Sequence, residues 1–372
     1  MNSAASVARC GTPCITVDTR QGAGSWAHGW RAAARILLLD ARAMFVLPIG
    51  LLRYWLTGKR SEVAYQSFVW LSCVTHGRLN DVLSAALARL RPKIPIESRA
   101  GVLGDLTPED VARHVQKLRA DGFVLFPGVV PAVLCDRLVQ FALGTPASVR
   151  RMDHEPDSVA KRTALFDATA PLGVRYDYDT SELLENPDVQ ALLADRSLIS
   201  IAQEYLGSSP VADVLCMWWH TNYHAQPDSG AAQYFHFDMD RIKWVKLFLY
   251  LTDVGPDNGP HTFIQGSHRS GGIPPTFLRR GYARLRDEEV FQQYPPERRI
   301  EFCAPRGSII IEDTRGLHKG ANVRGAPRLV LQLQFSNSLF GAYSPSVRLE
   351  SVKDAALEGM LRQAPSIYRQ YR

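Results

Sequence analysis

The sequence predicts an α+β protein with a mainly β core, an antiparallel barrel or sandwich backed by helices and preceded by a helical extension. Three observations predict it. Helical patterning dominates residues 24–206. Short segments rich in Val, Ile, Phe, Tyr and Trp follow, at Val211–Trp219, Gln233–Met239, Trp244–Thr252, Thr262–Gln265, Ser308–Glu312 and Arg328–Ser336, separated by Gly, Pro, Asn and Asp clusters. The composition is that of an ordinary globular chain: 372 residues, 46% hydrophobic and 22% charged. That excludes a disordered, collagen-like or coiled-coil protein, and a chain this long buries a sizeable core without staples.

Charge is unevenly spread. Of a net +6, the segment between Gly24 and Pro92 accounts for all: nine Lys/Arg (Arg31, Arg35, Arg42, Arg53, Lys59, Arg60, Arg78, Arg89, Arg91) stand against three acids (Asp40, Glu62, Asp81). A basic, apolar-rich segment therefore precedes a balanced body. It suits contact with an anionic membrane surface, while a helical appendage packed on the body is the plainer expectation. The longest uncharged run there, Ala43–Leu52, is far short of a membrane span, and no apolar run opens the chain as a signal peptide would. Six scattered cysteines are too few for a disulfide framework. Cys10 and Cys14 read as ordinary tail residues, and free thiols fit a cytoplasmic protein, peripheral at the inner membrane face if the basic segment binds lipid. Acidic residues interleave the basic ones elsewhere, so nucleic-acid binding finds no support.

In order, residues 1–23 read as a flexible tail and 24–105 as a basic helical segment and linker. Its two or three helices are expected to break at Pro48, near Gly58 and at Gly77. Pro92, Pro95, Gly101 and Gly104 mark the linker. Thr107, Pro108, Glu109 and Asp110 form a helix start, and Gly122 ends that helix. Phe123–Phe126 is a short strand, Ala132–Leu143 a helix, and Leu183–Leu206 a helix pair broken at Asn186-Pro187. The core domain runs over 106–345. Within it Arg269–Arg299 reads as an insertion, either a lid or a loose surface loop. Residues 346–372 form a helical C-terminal tail.

The chemistry gathers at His236-Phe237-Asp238, placed on the segment Gln233–Met239. Side chains two apart on a strand share a face, so Tyr234, His236 and Asp238 point one way and Phe235, Phe237 and Met239 the other. An imidazole and a carboxylate side by side need one more ligand to complete a two-His, one-carboxylate set, which leaves metal positions open and suits non-haem Fe(II). His318, in the polar stretch after Ser308–Glu312, is the candidate. Zinc accepts the same ligands. Arg328 follows ten residues after His318 and heads a strand with Leu329, Leu331, Leu333 and Phe335 on one face and Arg328, Gln332, Gln334 and Ser336 on the other. Such an Arg can grip a carboxylate through two parallel hydrogen bonds.

These residues carry a resemblance. His236-Phe237-Asp238, Asn258-Gly259-Pro260, Gly266-Ser267-His268, His318 and Arg328 occur in the order found in the phytanoyl-CoA dioxygenase (PhyH-like) family of Fe(II)- and 2-oxoglutarate-dependent oxygenases. The segment Leu118–Gly128 also resembles that family's first helix and strand. The resemblance spans Leu106 to Phe340 and leaves 1–105 uncovered. It implies a double-stranded β-helix, the jelly-roll or cupin-like barrel. It implies that His236, Asp238 and His318 are the catalytic iron ligands and that Arg328 binds the far carboxylate of the cosubstrate 2-oxoglutarate, with O2 as oxidant. The wider superfamily often places Ser or Thr two residues after the Arg; Val330 stands there, which leaves the other cosubstrate contacts open, with Lys246 and Tyr250, on one face of Trp244–Thr252, as candidates against strand positions facing solvent or core. Halogenating relatives lack the carboxylate that Asp238 supplies, which favours hydroxylation, desaturation or ring closure.

The implied activity is hydroxylation of an aliphatic C–H bond in a small molecule or lipid, with release of succinate and CO2. A non-catalytic binding protein on the same fold is the alternative. Trp218 and His220 share a face and are candidates for the substrate mouth, with core packing the alternative. Arg241, with Lys243 beside it, is a candidate for an acidic substrate group, against simple solvent exposure. His261 reads as a turn residue and His268 as a structural hydrogen-bonding one. The sequence leaves the oligomeric state open.

Overall fold

The computed structural model describes residues 26–152, 162–281 and 283–371, with side chains from Leu39 onward. The expected tail 1–23 lies outside the described residues. Three helices lead: α1 (Trp26–Thr57), α2 (Glu62–Val74) and α3 (Arg78–Leu90). A two-residue hairpin, β1 (Ala100–Gly101) and β2 (Gly104–Asp105), precedes α4 (Pro108–Asp121), β3 (Phe123–Phe126) and α5 (Ala132–Gly144). Then come β4 (Ala147–Arg150), β5 (Arg162–Ala164), β6 (Arg175–Asp177), α6 (Thr180–Leu184), α7 (Pro187–Leu193) and α8 (Arg196–Leu206). The barrel strands are β7 (Val211–His220), β8 (Trp244–Tyr250), β9 (His261–Ile264), β10 (Arg299–Phe302), β11 (Ile309–Glu312), β12 (His318–Gly320) and β13 (Arg328–Ser336). Two short helices, α9 (Pro275–Leu278) and α10 (Asp287–Phe291), lie between β9 and β10, and α11 (Ala355–Gln363) closes the chain with a 3-10 turn.

Eight strands form one antiparallel sheet in the order β3-β11-β8-β13-β7-β6-β4-β5, and three form a second, β10-β9-β12. They face each other as a double-stranded β-helix. Alternation along the strands builds two apolar layers. Leu247 and Leu249 on β8, Ile309 and Ile311 on β11, and Leu329, Leu331 and Leu333 on β13 point outward to a core shared with α4, α7 and α8. Phe248, Tyr250, Ile310, Val330 and Trp218 point inward and meet Phe263 and Phe302 of the small sheet. Burying each such side chain contributes about 1.5–3 kcal/mol. Period-2 patterning thus puts Lys246, Tyr250, Glu312 and Arg328 on the interior faces of their strands.

Local signals account for the helix ends. Thr107 Oγ1 accepts from Asp110 N at 3.1 Å and Asp110 Oδ2 accepts from Thr107 N at 3.0 Å, a reciprocal cap for α4. Gly122 ends it at φ 95°, a left-handed conformation that glycine adopts without a Cβ clash. Asn186 caps α7 just before Pro187, where the helix pair was expected to break.

Three expectations need correction. α1 continues through Pro48. Pro48 faces outward, where a carbonyl deprived of its helical partner meets water, and the helix is held from its other side by α2. A Cβ on Gly50 would lie 2.1 Å from that of Ala64, so only glycine allows this approach. Second, Gln233–Met239 is not a strand; it makes isolated bridges, Phe235 to Leu285 and His236 to His318. Third, 269–299 is not a loose surface loop. Ile273, Phe277, Leu278, Leu285 and Val290 bury themselves against Phe235 and Phe237. Cys73 of α2 joins the same cluster and Tyr65 donates to Met239 O at 3.2 Å, so the N-terminal helices and the insertion together back the His236–Asp238 segment.

Arg241 is also corrected. It is 2% exposed, with Nε and Nη2 each 2.7 Å from the Asp213 carboxylate, and Nη1 donates to Asp240 O at 3.0 Å and to Ala342 O. Buried charge requires such pairing, and the guanidinium is turned to Asp213 rather than to solvent or substrate. Gln334 Nε2 and Ser336 Oγ also donate to Asp213, at 2.9 and 2.6 Å. Arg241→Ala leaves Asp213 as an uncompensated buried charge and is expected to lose about 3–5 kcal/mol of stability, measured by urea or guanidinium unfolding.

Candidate metal centre

The segment 234–238 is pinned at both ends. His236 N donates to His318 O at 3.0 Å and His318 N donates to His236 O at 2.9 Å, a narrow antiparallel pair. Asp238 N donates to Thr314 O at 2.9 Å, and Trp244 Nε1 fixes Thr314 Oγ1 at 2.8 Å. The two imidazole centroids come to 4.2 Å. His236 Nε2 is 3.9 Å from Asp238 Oδ1, and His318 Nε2 is 3.5 Å from Asp238 Oδ2. One donor atom from each residue lies within 4.8 Å of the others, the spread that a single ion can bridge.

Each imidazole is oriented from behind. Nδ1 of His236 lies 2.9 Å from Tyr234 O, and Nδ1 of His318 lies 2.9 Å from Gly316 O. A carbonyl only accepts, so each ring carries its proton on Nδ1 and offers the Nε2 lone pair. Burial pushes both rings well toward neutrality, the form that binds metal. Burial alone would raise the Asp238 carboxyl, but Lys246 and the two imidazoles outweigh it and hold it far below the usual carboxylate range. Lys246 Nζ reaches Asp238 Oδ2 at 2.6 Å and Asp240 Oδ2 at 3.1 Å. An ionised carboxylate and two neutral imidazoles with free Nε2 atoms fit a divalent cation of the Fe(II) class.

Arg328 points into the barrel and is 2% exposed. Its Nη1 donates to Gly259 O and its Nη2 to His220 Nδ1 at 2.9 Å, and the Tyr250 hydroxyl interacts with the guanidinium. Among the described residues no carboxylate pairs with it, so a buried cation stands without a counter-charge. Tyr250, whose ring centroid is 5.8 Å from the guanidinium carbon, accepts from His261 N at 3.0 Å. A Cβ on Gly320, two residues past His318, would sit 3.0 Å from Arg328 Nη2 and 3.4 Å from His220 Cε1. Glycine therefore keeps the ground clear between the ligand strand and the guanidinium. An anion held at one end by Arg328 and at the other by the metal fits this layout, as a dicarboxylate would.

The sequence candidates fall into place unevenly. His236, Asp238, His318, Arg328, Lys246, Tyr250 and His220 converge on the barrel interior. Trp218 packs in the inner apolar layer with the Arg175 guanidinium carbon 4.5 Å from its ring centroid. His318 starts a strand rather than sitting in a loop. His268 Nε2 is 3.1 Å from Arg119 O. His261 is not a turn residue: it heads β9, is buried, and its ring lies 5.7 Å from that of His318. Its Nε2 is 2.9 Å from Glu312 Oε2, an acid that sequence reasoning did not single out. A glutamate closing the run Ile309-Ile310-Ile311 was the available signal. Burial pushes Glu312 up to about 8 and His261 down to about 3, so the pair is neutral.

A barrel carrying such a metal set with an unpaired interior arginine is the layout of a 2-oxoglutarate-dependent oxygenase. Residues 118–328, more than half the chain, match the sequence model of Phytanoyl-CoA dioxygenase (PhyH), and the chain belongs to that family. Its cofactors are those the resemblance implied, Fe(II), 2-oxoglutarate and O2. Among solved structures the chain is similar to the non-haem α-ketoglutarate-dependent epimerase SnoN from nogalamycin biosynthesis, at 20% identity over 62% of this chain and 84% of that one, TM-score 0.43. It is similar to EctD from S. alaskensis in its apoform, at 18% identity over 72% and 95%, TM-score 0.44. HygX from Streptomyces hygroscopicus, solved with nickel and 2-oxoglutarate bound, is 16% identical over 64% and 90%, TM-score 0.45. No curated protein matches the chain.

His236→Ala and Asp238→Ala are each expected to abolish stoichiometric iron binding, read by metal analysis after anaerobic reconstitution, with the fold retained by circular dichroism. A second prediction concerns Glu312 in metal-free protein. A carboxyl raised from 4.5 to about 8 by folding stabilises the fold fully below pH 4.5, and that contribution is lost as pH rises to about 8. Unfolding measured across this window should show Glu312→Gln flattening the decline; an unchanged slope would place the titration elsewhere.

Proposed function

We propose that the protein is an Fe(II)- and 2-oxoglutarate-dependent hydroxylase acting on an aliphatic C–H bond of a small molecule or lipid-like substrate, with release of succinate and CO2. The supporting observation is the buried Arg328 cation without a carboxylate partner, beside a three-residue donor set. In this reading His236 and His318 hold the metal through Nε2 and Asp238 through the oxygen that Lys246 leaves free. The bound metal with 2-oxoglutarate supplies activation of O2 for hydrogen abstraction.

The chain's own residues set the conditions for that chemistry. Arg328 receives the distal carboxylate and thereby gains its missing counter-charge. Because Arg328 only donates, His220 accepts at Nδ1 and carries its proton on Nε2. Burial, with Arg328 beside it, keeps that ring neutral. His220 thus orients the guanidinium. Lys246 restrains the Asp238 carboxylate, and the apolar layer of Trp218, Phe248 and Phe263 excludes water.

The test is a metabolite screen for 2-oxoglutarate consumption coupled to a mass gain of about 16, one oxygen atom. A loss of two hydrogens instead would assign desaturation or ring closure, and iron binding without O2-dependent succinate would assign a non-catalytic role. Arg328→Ala should raise the 2-oxoglutarate concentration needed for half-maximal turnover by about two orders of magnitude while iron stays bound. Equal dependence in both proteins would remove Arg328 from the cosubstrate site.

A further inference from the structure

The outer face of α1 exposes a run of large apolar side chains. Positions 43, 47, 50 and 54 turn inward onto Ala64, Tyr65 and Phe68 of α2. The opposite side presents Phe45, Ile49, Leu52 and Leu56 at successive spacings of four, three and four, with Met44 and Trp55 along one edge. Phe45 and Trp55 are each 71% exposed and Leu56 67%. A helix whose buried side is satisfied by its own protein has no folding reason for a second apolar face.

Its charges are placed to match. At about 100° per residue, Arg42 and Arg53 fall together on the other edge of the apolar arc, and Lys59 follows the helix end. Among the described residues none of the three has an acidic partner within ion-pair distance. The one acid of this stretch, Asp40, is turned away and accepts from Trp70 Nε1 at 2.7 Å. No carboxylate interrupts the arc.

We propose that this face of α1 docks on an anionic lipid surface, with the helix lying in the interface plane. Apolar and aromatic side chains enter the headgroup–acyl boundary while Arg42, Arg53 and Lys59 meet lipid phosphates. A second copy of the chain is the less suitable occupant, because it would present the same carboxylate-free arc and give Arg42 and Arg53 no counter-charge. No helix of the described residues is long and apolar enough to cross a membrane. This inference does not depend on the proposed activity.

The experiment is co-sedimentation of the full chain with vesicles of phosphatidylcholine mixed with phosphatidylglycerol, and with phosphatidylcholine alone. The native protein should pellet with the mixed vesicles, and added salt should release it. Arg42→Gln with Arg53→Gln should weaken binding about thirtyfold on the mixed vesicles. Phe45→Ser, Ile49→Ser and Trp55→Ser combined should abolish it. All five side chains are solvent-exposed, and unchanged thermal melts will show the fold intact. Native protein left in the supernatant, or triple-variant protein that still pellets, overturns the proposal. So does sedimentation equilibrium showing a dimer that the triple variant dissolves, since the arc then belongs to a second copy.

Discussion

Two backbone hydrogen bonds between His236 and His318 hold the centre together. Neither residue's neighbours in sequence would bring it to the other; the narrow antiparallel pair does so, and it leaves both side chains on the same side of the local bridge. The imidazoles then approach as closely as a shared ion requires. Everything else at the site serves this pair. Tyr234 and Gly316 carbonyls turn the rings, Thr314 holds Asp238 in line, and Lys246 restrains its carboxylate. The bridge is only one residue wide, so its rigidity has to come from packing behind it.

That packing explains an otherwise odd arrangement of the chain. Phe235, Phe237 and Met239 are the reverse side of the ligand segment, and they are covered by residues from the 269–299 insertion and by α2. The insertion adds a second bridge, Phe235 to Leu285, parallel in role to the His236–His318 pair. Lys319, next to His318, donates to both carboxylate oxygens of Asp287 on α10 at 2.6 and 2.7 Å. A segment that forms no strand of its own is thereby sandwiched between two layers, and its ligand side chains keep fixed directions.

Much of this was legible in the sequence because it follows from period-2 alternation. The leucine face of β13 and the polar face headed by Arg328 were read from spacing alone. Alternation also placed His236 and Asp238 on one side, correctly in direction even though the segment is held by isolated bridges. What failed were judgements about single residues whose partners lie far away in the chain. Arg241 looked free because Asp213 is remote in sequence, and His261 looked like a turn residue because Glu312 is. Pro48 looked like a break because propensity is local, whereas the contact between Gly50 and Ala64 that carries α1 past it is tertiary.

The N-terminal helices show why position in the chain is a poor guide to what can be removed. They precede the barrel and lie outside the family match, so they have the outline of a detachable appendage. Yet α1 and α2 share one apolar cluster with Ile242 and Phe340 of the body, and Asn80 of α3 donates to Ile242 O at 3.0 Å. Cys73 reaches the cluster behind the ligand segment. Deleting them would uncover the back of the metal centre, and a loss of lipid binding in such a truncation would be inseparable from a loss of the fold. Inner-face residues of α1 belong to stability and outer-face residues are free of it. Only substitutions on the outer arc can therefore separate attachment from catalysis, and the same helix that carries an apolar face to solvent is tied through α2 to the segment that carries the ligands.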